Sequence, residues 1–417
     1  MTTPAPPATA PAPARGGRGR LVGALVGQGT LALAGLVLQV AAARELGAAG
    51  LAAFSLVYGA VVLATAVTSG LVGDSLTVLD RHDPGVRAAL HRLALGTAGG
   101  TGLAGGLLVV LTGWGSAWAG VWIGVATVSF VLEDLLRRLL QAAGRYWRLP
   151  AVDLSGAGAA LAVVVALRAG GPLEVTDLFV ALAVGQLVSC AVALALLPRG
   201  ERPAGPWRDA AVGTVLAFGV WRAAGQTVRP ATLTLLRGVV IGAAGAAAYG
   251  PVEAARVLTS PTLVLVAGLG SFLLPWFAGA RHRPAAQLLR RADRAAGAAA
   301  VGVGLVVLVT VALLPWLGPL LSAGDYAVPA AAVAGWGAYA VTGALLLPYA
   351  GLASVHGAQR AVLGWRAVEM AALAGVLALV VLRPGAADWA PAVLALGPVA
   401  AAAAVRWRVL VPRSRAA

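Results

Sequence analysis

The fold is decided by LVGALVGQGTLALAGLVLQVAAA (residues 21–43) and LAAFSLVYGAVVLATAVTSGLVGDSLTVL (51–79), two apolar runs separated by the break RELGAAG (44–50). Each run reaches the length of about 20 residues that a helix needs to cross the hydrocarbon core of a bilayer. The break carries Arg44 and Glu45, whose charges are costly inside hydrocarbon. The stretch therefore predicts two membrane-spanning helices joined by a tight turn.

The same alternation of apolar runs and short breaks continues along the whole chain of 417 residues, of which 59% are hydrophobic and 11% are charged. Soluble domains carry about 25% charged residues, so this composition excludes an ordinary water-soluble protein. We predict an all-α integral membrane protein of about twelve transmembrane helices. The predicted spans are 21–43, 50–79, 88–112, 116–136, 149–168, 175–197, 211–241, 246–279, 295–317, 326–353, 361–382 and 388–405.

A weak internal repeat divides the predicted helices into two groups of six. GAAGLAAF at 47–54 matches GAAGAAAY at 242–249, and an even number of helices in each group makes the repeat parallel. The start of the chain is rich in Pro and Ala and too poor in large apolar side chains to fold alone. The predicted organisation is a disordered cytosolic tail at 1–20, an N-terminal six-helix lobe at 21–198, a cytosolic linker at 199–210, a C-terminal six-helix lobe at 211–405 and a basic cytosolic tail at 406–417.

The net charge of +15 follows from the membrane topology. All 31 basic residues are Arg, and 24 of them fall in the two tails and the even-numbered connections between predicted helices. Only Arg44, Arg168 and Arg383 fall in the odd-numbered connections. Cytosolic connections of membrane proteins carry an excess of basic residues, so this distribution predicts that both termini are cytosolic. The basic charge therefore needs no nucleic-acid partner to explain it.

The residue content excludes several kinds of chemistry. The chain has no Lys, so it contains neither a phosphate-binding loop that ends in Gly-Lys-Ser/Thr nor a Schiff-base lysine. His82, His91, His282 and His356 are scattered and do not have the spacing of zinc ligands. Cys190 is the single cysteine and cannot form a disulfide within the chain. We therefore predict a protein that is not an enzyme and that has no cofactor, no catalytic residues and no metal site.

Arginine residues inside the seventh predicted span are the strongest candidates for substrate binding. On a helix, Arg222 and Arg229 lie about 20° apart, and Gln226 lies close to the same face. Arg237 extends this basic surface, and Pro230 removes a backbone hydrogen bond next to Arg229. Guanidinium groups bind phosphate in a bidentate fork, so the pattern predicts a cavity for an anionic substrate such as a lipid pyrophosphate. Alternatively, these arginines pair with acids elsewhere in the bundle or extend to an interface.

Four further charged residues at membrane depth are candidates for ion coupling or for structural ion pairs. Glu253 and Arg256 are three residues apart in the eighth predicted span, which allows them to pair with each other on one helix face. Asp74 in the second span and Glu369 in the eleventh are candidate protonation or cation sites. Helix-cap or boundary positions are the alternative explanation for these two acids.

A second charged group lies at the predicted cytosolic end of the fourth span. The spacing of four residues predicts pairs of Glu133 with Arg137 and of Asp134 with Arg138. The group is either an interfacial anchor, assisted by neighbouring aromatic residues, or a gate at the cytosolic mouth of a transport pathway.

Three stretches resemble the polysaccharide flippases, of the O-antigen or teichuronic type, in the multidrug/oligosaccharidyl-lipid/polysaccharide exporter superfamily. They are VLQVAAARELGAAGLAAFSLVYG at 37–59, FVLEDLLRRLLQAAGRYWRLPAVDL at 130–154, and LRGVVIGAAGAAAYGPVEAARVL with FLLPWF within 236–277. The resemblance implies a two-lobed protein of the inner (plasma) membrane that moves a polyprenyl-pyrophosphate-linked oligosaccharide to the outer leaflet by alternating access. It also implies a basic central cavity, in which Arg222 and Arg229 would lie.

The partners that this resemblance implies are the lipid-linked anionic glycan, the lipid bilayer and other polysaccharide-assembly proteins. A multidrug-type exporter is an alternative, although the first predicted span has no acid, unlike many drug/cation antiporters of the superfamily. A major-facilitator transporter of a small solute is a second alternative, but LDRHDPGVR at 79–87 matches only parts of the loop signature of that class. A non-transporting scaffold for a biosynthetic complex is a third.

Overall fold

The computed structural model describes residues 17–202, 209–262 and 283–416, together with residues 265, 266, 269, 273, 276, 277, 279 and 280. Regular structure in these ranges is helical. The α-helices are α1 Gly17–Glu45, α2 Gly47–Thr68, α3 Asp74–Val78, α4 Pro84–Leu111, α5 Ala117–Ala142, α6 Leu149–Gly170, α7 Val175–Leu196, α8 Val212–Ala244, α9 Ala246–Thr259, α10 Ala285–Ser322, α11 Ala330–Val355, α12 Gln359–Val368, α13 Ala372–Leu382, α14 Ala390–Leu394, α15 Leu396–Ala404 and α16 Val411–Ala416.

Ten helical segments in the described part of the chain are long and apolar enough to cross a membrane, and they coincide with ten of the twelve predicted spans. The predicted span 211–241 corresponds to α8, which is 33 residues long and carries three arginines. The predicted span 246–279 begins as α9, and parts of its second half lie outside the described residues. The described residues are thus helical, as predicted, and their ten apolar segments are consistent with an integral membrane protein.

Helical structure extends into both of the segments that were predicted as tails. Helix α1 already begins at Gly17, while residues 1–16 of the predicted N-terminal tail lie outside the described residues. The final span continues as a π-helix, Val405–Leu410, and then as α16. The predicted linker is described only at its two ends, because residues 203–208 lie outside the described residues.

Helix starts and turns follow local sequence signals. Asp83 and Ser116 are N-caps whose side-chain oxygens accept hydrogen bonds from backbone N–H groups one turn ahead, at 2.9 and 3.2 Å. Gly47 and Gly245 adopt φ values of +65° and +91° where α2 and α9 begin. Glycine adopts such left-handed conformations without steric cost, which explains its use at both turns.

The bundle has two ends, which we name from the course of the chain. The proximal end is where α1 begins, and the distal end is where α1 finishes. At the proximal end, the Ala211 N–H donates to the Gly85 carbonyl. At the distal end, Arg168 Nε lies 2.7 Å from Glu45 Oε2.

Small residues bring neighbouring helices into close contact. Helices α4 and α5 approach through Gly102 and Gly106 on one side and Gly120 and Gly124 on the other, where a Cβ atom would meet the facing backbone carbonyl. This geometry is the general use of small residues in membrane helix packing, because apolar side chains gain little by leaving lipid for protein.

Helix α2 and the π-helical segment that continues it, Ser69–Gly73, connect the first half of the described chain (17–202) to the second half (209–416). Near the proximal end, a methyl group on Gly70 would overlap the backbone of Ala223 in α8. Near the distal end, a methyl group on Gly250 in α9 would overlap the backbone of Ala48 in α2. The contact between halves therefore depends on glycine at both ends.

We expect Gly70→Val to destabilise the protein by about 1–3 kcal/mol, because the added side chain has to push the π-helical segment after α2 away from α8. Gly99→Val is the matched control, since a Cβ atom at Gly99 has open space around it. Thermal unfolding of the detergent-solubilised protein measures the difference. Equal melting temperatures for the two variants would contradict the close contact between the halves.

Candidate functional site

A charged cluster joins the two halves toward the proximal end of the bundle. Asp74 Oδ2 accepts hydrogen bonds from Arg222 Nε at 2.9 Å and from Gln226 Nε2 at 3.4 Å, both on α8. Asp74 Oδ1 lies 3.4 Å from Arg138 Nη1 on α5. The carboxylate of Asp74 therefore bridges one arginine from each half, and we call this group with Asp134 and Ser69 the interhalf cluster.

Local helix geometry places the remaining members of the interhalf cluster. A π-helical segment, Ser69–Gly73, separates α2 from α3 and lies directly before Asp74. Such segments interrupt the α-helical register and are frequent at functional sites. The Ser69 hydroxyl donates to the Asp134 carboxylate, which also accepts from Arg138 Nε at 2.8 Å. The predicted pair of Asp134 and Arg138 is thus confirmed.

A second cluster lies inside the first half, where α1, α5 and α6 meet. Arg137 Nε lies 2.8 Å from Asp153 Oδ1 and 3.4 Å from Glu133 Oε1, so the predicted pair of Glu133 and Arg137 is also confirmed. Asp153 Oδ2 accepts from the Thr30 hydroxyl at 2.6 Å. Arg137 Nη2 additionally donates to the Gly27 carbonyl at 3.2 Å. We call this group the α1 tether.

A third cluster surrounds Glu253, which is fully buried in the second half. Its Oε1 lies 2.6 Å from Arg256 Nε and 3.2 Å from Arg237 Nη2, and its Oε2 accepts from the Tyr249 hydroxyl at 2.8 Å. Arg256 Nη2 also donates to Gln39 Oε1 on α1 at 2.5 Å. The predicted pair of Glu253 and Arg256 is confirmed. The hydrogen bond from Arg256 to Gln39 forms a second polar link between the halves.

Glycine gives Arg237 the space that it occupies beside α2. A Cβ atom on Gly59 would lie 2.7 Å from Arg237 Nη1. Two arginines thus share the single carboxylate of Glu253, which leaves one positive charge in excess. The sequence predicted Arg237 as part of a basic surface, and the structure gives it a carboxylate partner.

A small cavity of about 20 Å³ lies next to this cluster. Its lining includes Arg229, Arg256, Thr259, Trp336 and Tyr339. The guanidinium carbon of Arg229 lies 5.4 Å from the ring centre of Tyr339, and among the described residues no carboxylate forms a salt bridge with it. This volume holds about one water molecule. Arg229 and Arg366 both act on the carboxylate of Glu369, so this group also leaves one positive charge in excess.

The α8 arginines that the sequence placed on one helix face end in different environments. Arg222 points into the interhalf cluster and Arg229 onto Tyr339, while Arg237 reaches Glu253. Pro230 lies inside α8, which remains one helix from Val212 to Ala244.

Glu369 lies in a short 3-10 segment, Glu369–Ala371, between α12 and α13. Its side chain is buried, and its Oε1 lies 3.5 Å from Arg366 Nε without a hydrogen bond. Gly397 of α15 packs directly against the backbone of Glu369. The acid is therefore held at a break in a helix, and both Arg366 and Arg229 are close enough to act on its charge.

The proximal connections are held by a separate ion pair outside the membrane-spanning segments. Arg81 donates to both carboxylate oxygens of Glu201, each at 3.0 Å. These hydrogen bonds lower the pKa of Glu201 and raise the pKa of Arg81. The pair fixes the turn after α3 to the segment that follows α7.

Several residues of these clusters were missed at the level of sequence. They are Thr30, Gln39, Ser69, Asp153 and Tyr249. Asp153 gave a usable signal, because it is an acid inside the apolar run 149–168, and Gln39 is a polar residue inside 21–43. The sequence gave no signal for Thr30, Ser69 and Tyr249, since hydroxyl-bearing residues are common in membrane helices without such a role.

The fold is similar to that of known membrane transporters. An outward-facing multidrug resistance MATE family transporter of the MOP superfamily aligns with a TM-score of 0.65 and 15% identity over 95% of this chain and 96% of that one. An inward-facing MATE family transporter aligns with a TM-score of 0.61 and 15% identity, covering 93% and 95%. A MOP superfamily transporter from Pyrococcus furiosus aligns with a TM-score of 0.60 and 15% identity, covering 95% of each chain.

No family model matches the sequence, and the search of curated proteins found no match. The structural likeness, at 15% identity, shows that the chain shares the fold of these MOP superfamily transporters. Together with the ten apolar segments of the described residues that are long enough to cross a membrane, this fold indicates a multi-pass membrane protein.

We expect the interaction of Asp74 with Arg222 to appear as a coupling energy of up to about 1 kcal/mol in a double-mutant cycle, because the Arg222 side chain is partly exposed. Melting temperatures of Asp74→Ala, Arg222→Ala and the double variant measure it. Asp74→Ala with Arg229→Ala is the control pair, which we expect to be additive. A purely additive Asp74/Arg222 pair would show that the contact does not contribute to stability.

Proposed function

We propose that this protein is an exporter that works by alternating access and moves a polyprenyl-pyrophosphate-linked oligosaccharide across the cytoplasmic membrane in cell-surface polysaccharide biosynthesis. The observation that carries the proposal is the excess of positive charge around the small cavity, where Arg229 and Arg256 both contribute to the lining. The fold supports the transport part of the proposal, and the charge supports an anionic substrate.

Alternating access requires contacts between the halves that break and re-form. The interhalf cluster links α3 and α5 to α8 near the proximal end, and the Gln39–Arg256 hydrogen bond links α1 to α9 deeper in the bundle. Ion pairs and hydrogen bonds are well suited to this task, because water can replace the partner of each group when a pathway opens. Opening between α1 and α9 would also enlarge the small cavity beside Arg256.

The excess charge favours a diphosphate group as the anchor of the substrate. Arg237 and Arg256 share one carboxylate, and Arg229 stacks on an aromatic ring. Guanidinium groups bind phosphate oxygens through parallel N–H donors and remain charged at any physiological pH. A pyrophosphate that enters the enlarged cavity would neutralise this excess, whereas a cationic drug would increase it.

The direction of transport follows from the distribution of arginine in the sequence. If the proximal end is cytosolic, as the positive-inside rule predicts, the substrate enters at the interhalf cluster and leaves at the distal end. In this proposal the bilayer holds the polyprenyl chain throughout, and other polysaccharide-assembly proteins supply and remove the glycan.

A multidrug-type exporter is the second candidate. The similar structures include multidrug resistance MATE family transporters. The first half also carries buried carboxylates, Glu133 and Asp153, of the kind that could attract a cation. The second half is the basic one, and for this reason we favour the anionic substrate.

We expect the protein in liposomes to transfer a fluorescent polyprenyl-pyrophosphate oligosaccharide between leaflets, and Arg229→Ala to slow this transfer about tenfold or more. A lost charge-assisted hydrogen bond of about 1.5–3 kcal/mol accounts for that factor. Arg229→Lys should retain part of the rate, since it keeps the charge but loses the fork. Transfer is measured as the fraction of probe that an impermeant quencher reaches over time.

Arg291→Ala is the matched control, because Arg291 makes the same kind of contact with Trp276, at 5.5 Å, away from the small cavity. Arg222→Ala tests the contact between the halves rather than substrate binding. Arg222 contacts Asp74 in the first half and does not line the small cavity. If the native protein transfers none of a panel of lipid-linked glycans but exports a cationic dye, the multidrug alternative holds and the proposal fails.

A further inference from the structure

Helix α10 extends beyond the hydrocarbon layer at the proximal end of the second half. It is 38 residues long, which at about 1.5 Å per residue is roughly 57 Å, against a hydrocarbon core of about 30 Å. Its other end is distal, since the Leu320 carbonyl accepts a hydrogen bond from Arg44. The first residues of α10, which precede the apolar run that begins at 295, therefore lie at the level of the lipid headgroups.

Arginines cluster at this level on α10 and on the π-helix that follows α15. Arg290 and Arg294 are exposed and lie one turn apart on one face of α10. Asp293 lies beside them, and Arg406 of the π-helix donates to its two carboxylate oxygens from Nε at 2.8 Å and from Nη2 at 3.0 Å. Arg408, two residues further along the π-helix, is also exposed. We call these four arginines the proximal arginine surface.

The proximal arginine surface carries more positive charge than its carboxylate can neutralise. Asp293 is already occupied by the fork of Arg406 and by the Tyr349 hydroxyl, which donates to it at 2.9 Å. In the described part of the chain, the salt bridges of the second half include none to Arg290, Arg294 or Arg408. Arginine cannot release its proton, so these guanidinium groups are available to an anion.

Tryptophan rings accompany the arginines of the π-helix. The guanidinium carbon of Arg406 lies 5.4 Å from the ring centre of Trp407, and that of Arg408 lies 5.2 Å from the ring centre of Trp365 on α12. Trp407 is 60% exposed. A guanidinium that stacks on a ring keeps the N–H donors of its plane, so Arg408 is still able to bind phosphate oxygens. The surface thus presents apolar rings and phosphate-binding groups together.

This combination fits an anionic phospholipid better than a soluble polyanion. Tryptophan is enriched at the headgroup level of membrane proteins, because one part of its ring system is apolar and the other is polar. Basic pockets between membrane helices bind the headgroups of anionic lipids. A soluble phosphate would neutralise the arginines but would leave Trp407 in contact with water. A phospholipid meets both needs, since it joins a phosphate to hydrocarbon chains in one molecule.

We propose that the proximal arginine surface binds the phosphate headgroup of an anionic phospholipid. This inference goes beyond the proposed function, because the ligand is a lipid of the surrounding bilayer and not the transported molecule. Arg290, Arg294 and Arg408 supply the N–H donors, and Trp407 contacts the lipid chains. Arg406 already holds the π-helix against α10, and Arg408 contacts α12. The bound lipid therefore stabilises the place where these three helices of the second half meet.

Thermal unfolding of the full-length protein in a neutral detergent tests this binding without any transport assay. We expect added phosphatidylglycerol to raise the melting temperature until the site is saturated, and phosphatidylcholine to raise it much less. In the double variant Arg294→Gln/Arg408→Gln, the apparent Kd for phosphatidylglycerol should rise about tenfold or more, because charge-assisted hydrogen bonds to phosphate are lost. Neither arginine has a salt bridge among the described residues, so the melting temperature without lipid should change little.

The matched control is Arg92→Gln/Arg199→Gln. It removes the same charge from two exposed arginines at the proximal end of the first half. We expect this variant to keep the native Kd for phosphatidylglycerol. An equal loss of affinity in both double variants overturns the proposal, because it would show only a general attraction between lipid and a basic protein.

Two further measurements distinguish a lipid from a soluble phosphate. Trp407→Ala should weaken the effect of phosphatidylglycerol, since it removes the ring that contacts the chains. Inorganic pyrophosphate should stabilise the native protein less than phosphatidylglycerol does at the same concentration. Equal stabilisation by pyrophosphate, together with an unchanged response in Trp407→Ala, overturns the lipid assignment. If Arg294→Gln/Arg408→Gln does not fold, Arg294→Lys/Arg408→Lys replaces it, and a native Kd in that variant overturns binding through the guanidinium fork.

Discussion

The structure depends on the need to give every charged group inside a membrane-spanning bundle a partner. Guanidinium groups cannot shed their charge, so each interior arginine has to find a carboxylate, an aromatic face or an anion. Arg222 pairs with Asp74, Arg137 with Asp153, and Arg237 with Glu253, and each pair joins two helices or two halves of the chain. Packing around these pairs is permitted by glycines, such as Gly59 beside Arg237.

The same constraint explains why the polar groups lie between helices. The interhalf cluster follows a π-helical segment in the helix that contacts the second half along its length. The α1 tether and the Gln39–Arg256 hydrogen bond hold α1 at two points. Apolar packing alone would hold these helices with no preferred partner, whereas ion pairs specify which helix contacts which. In addition, water or a bound ligand can replace either partner of such an ion pair.

The two halves differ in the sign of the charge that remains after pairing. In the first half, two carboxylates share Arg137, and in the second half two arginines share Glu253 with Arg229 close by. An acid can neutralise itself with a proton, and an arginine cannot. This chemical difference is the reason why we propose an anionic substrate for the second half.

The sequence by itself determined the membrane class, the positions of most spans and the charged pairs within one helix. These features depend on local composition and on the 3.6-residue period, which the chain carries directly. Only the tertiary structure decided that Asp74 meets Arg222, that Thr30 and Asp153 complete the α1 tether, and that Gln39 reaches Arg256. These partners are separated by more than a hundred residues in the sequence, and helical periodicity gives the face of a side chain but not the helix that lies opposite. For the same reason the arginines of α8, which share one face in projection, ended in three different environments.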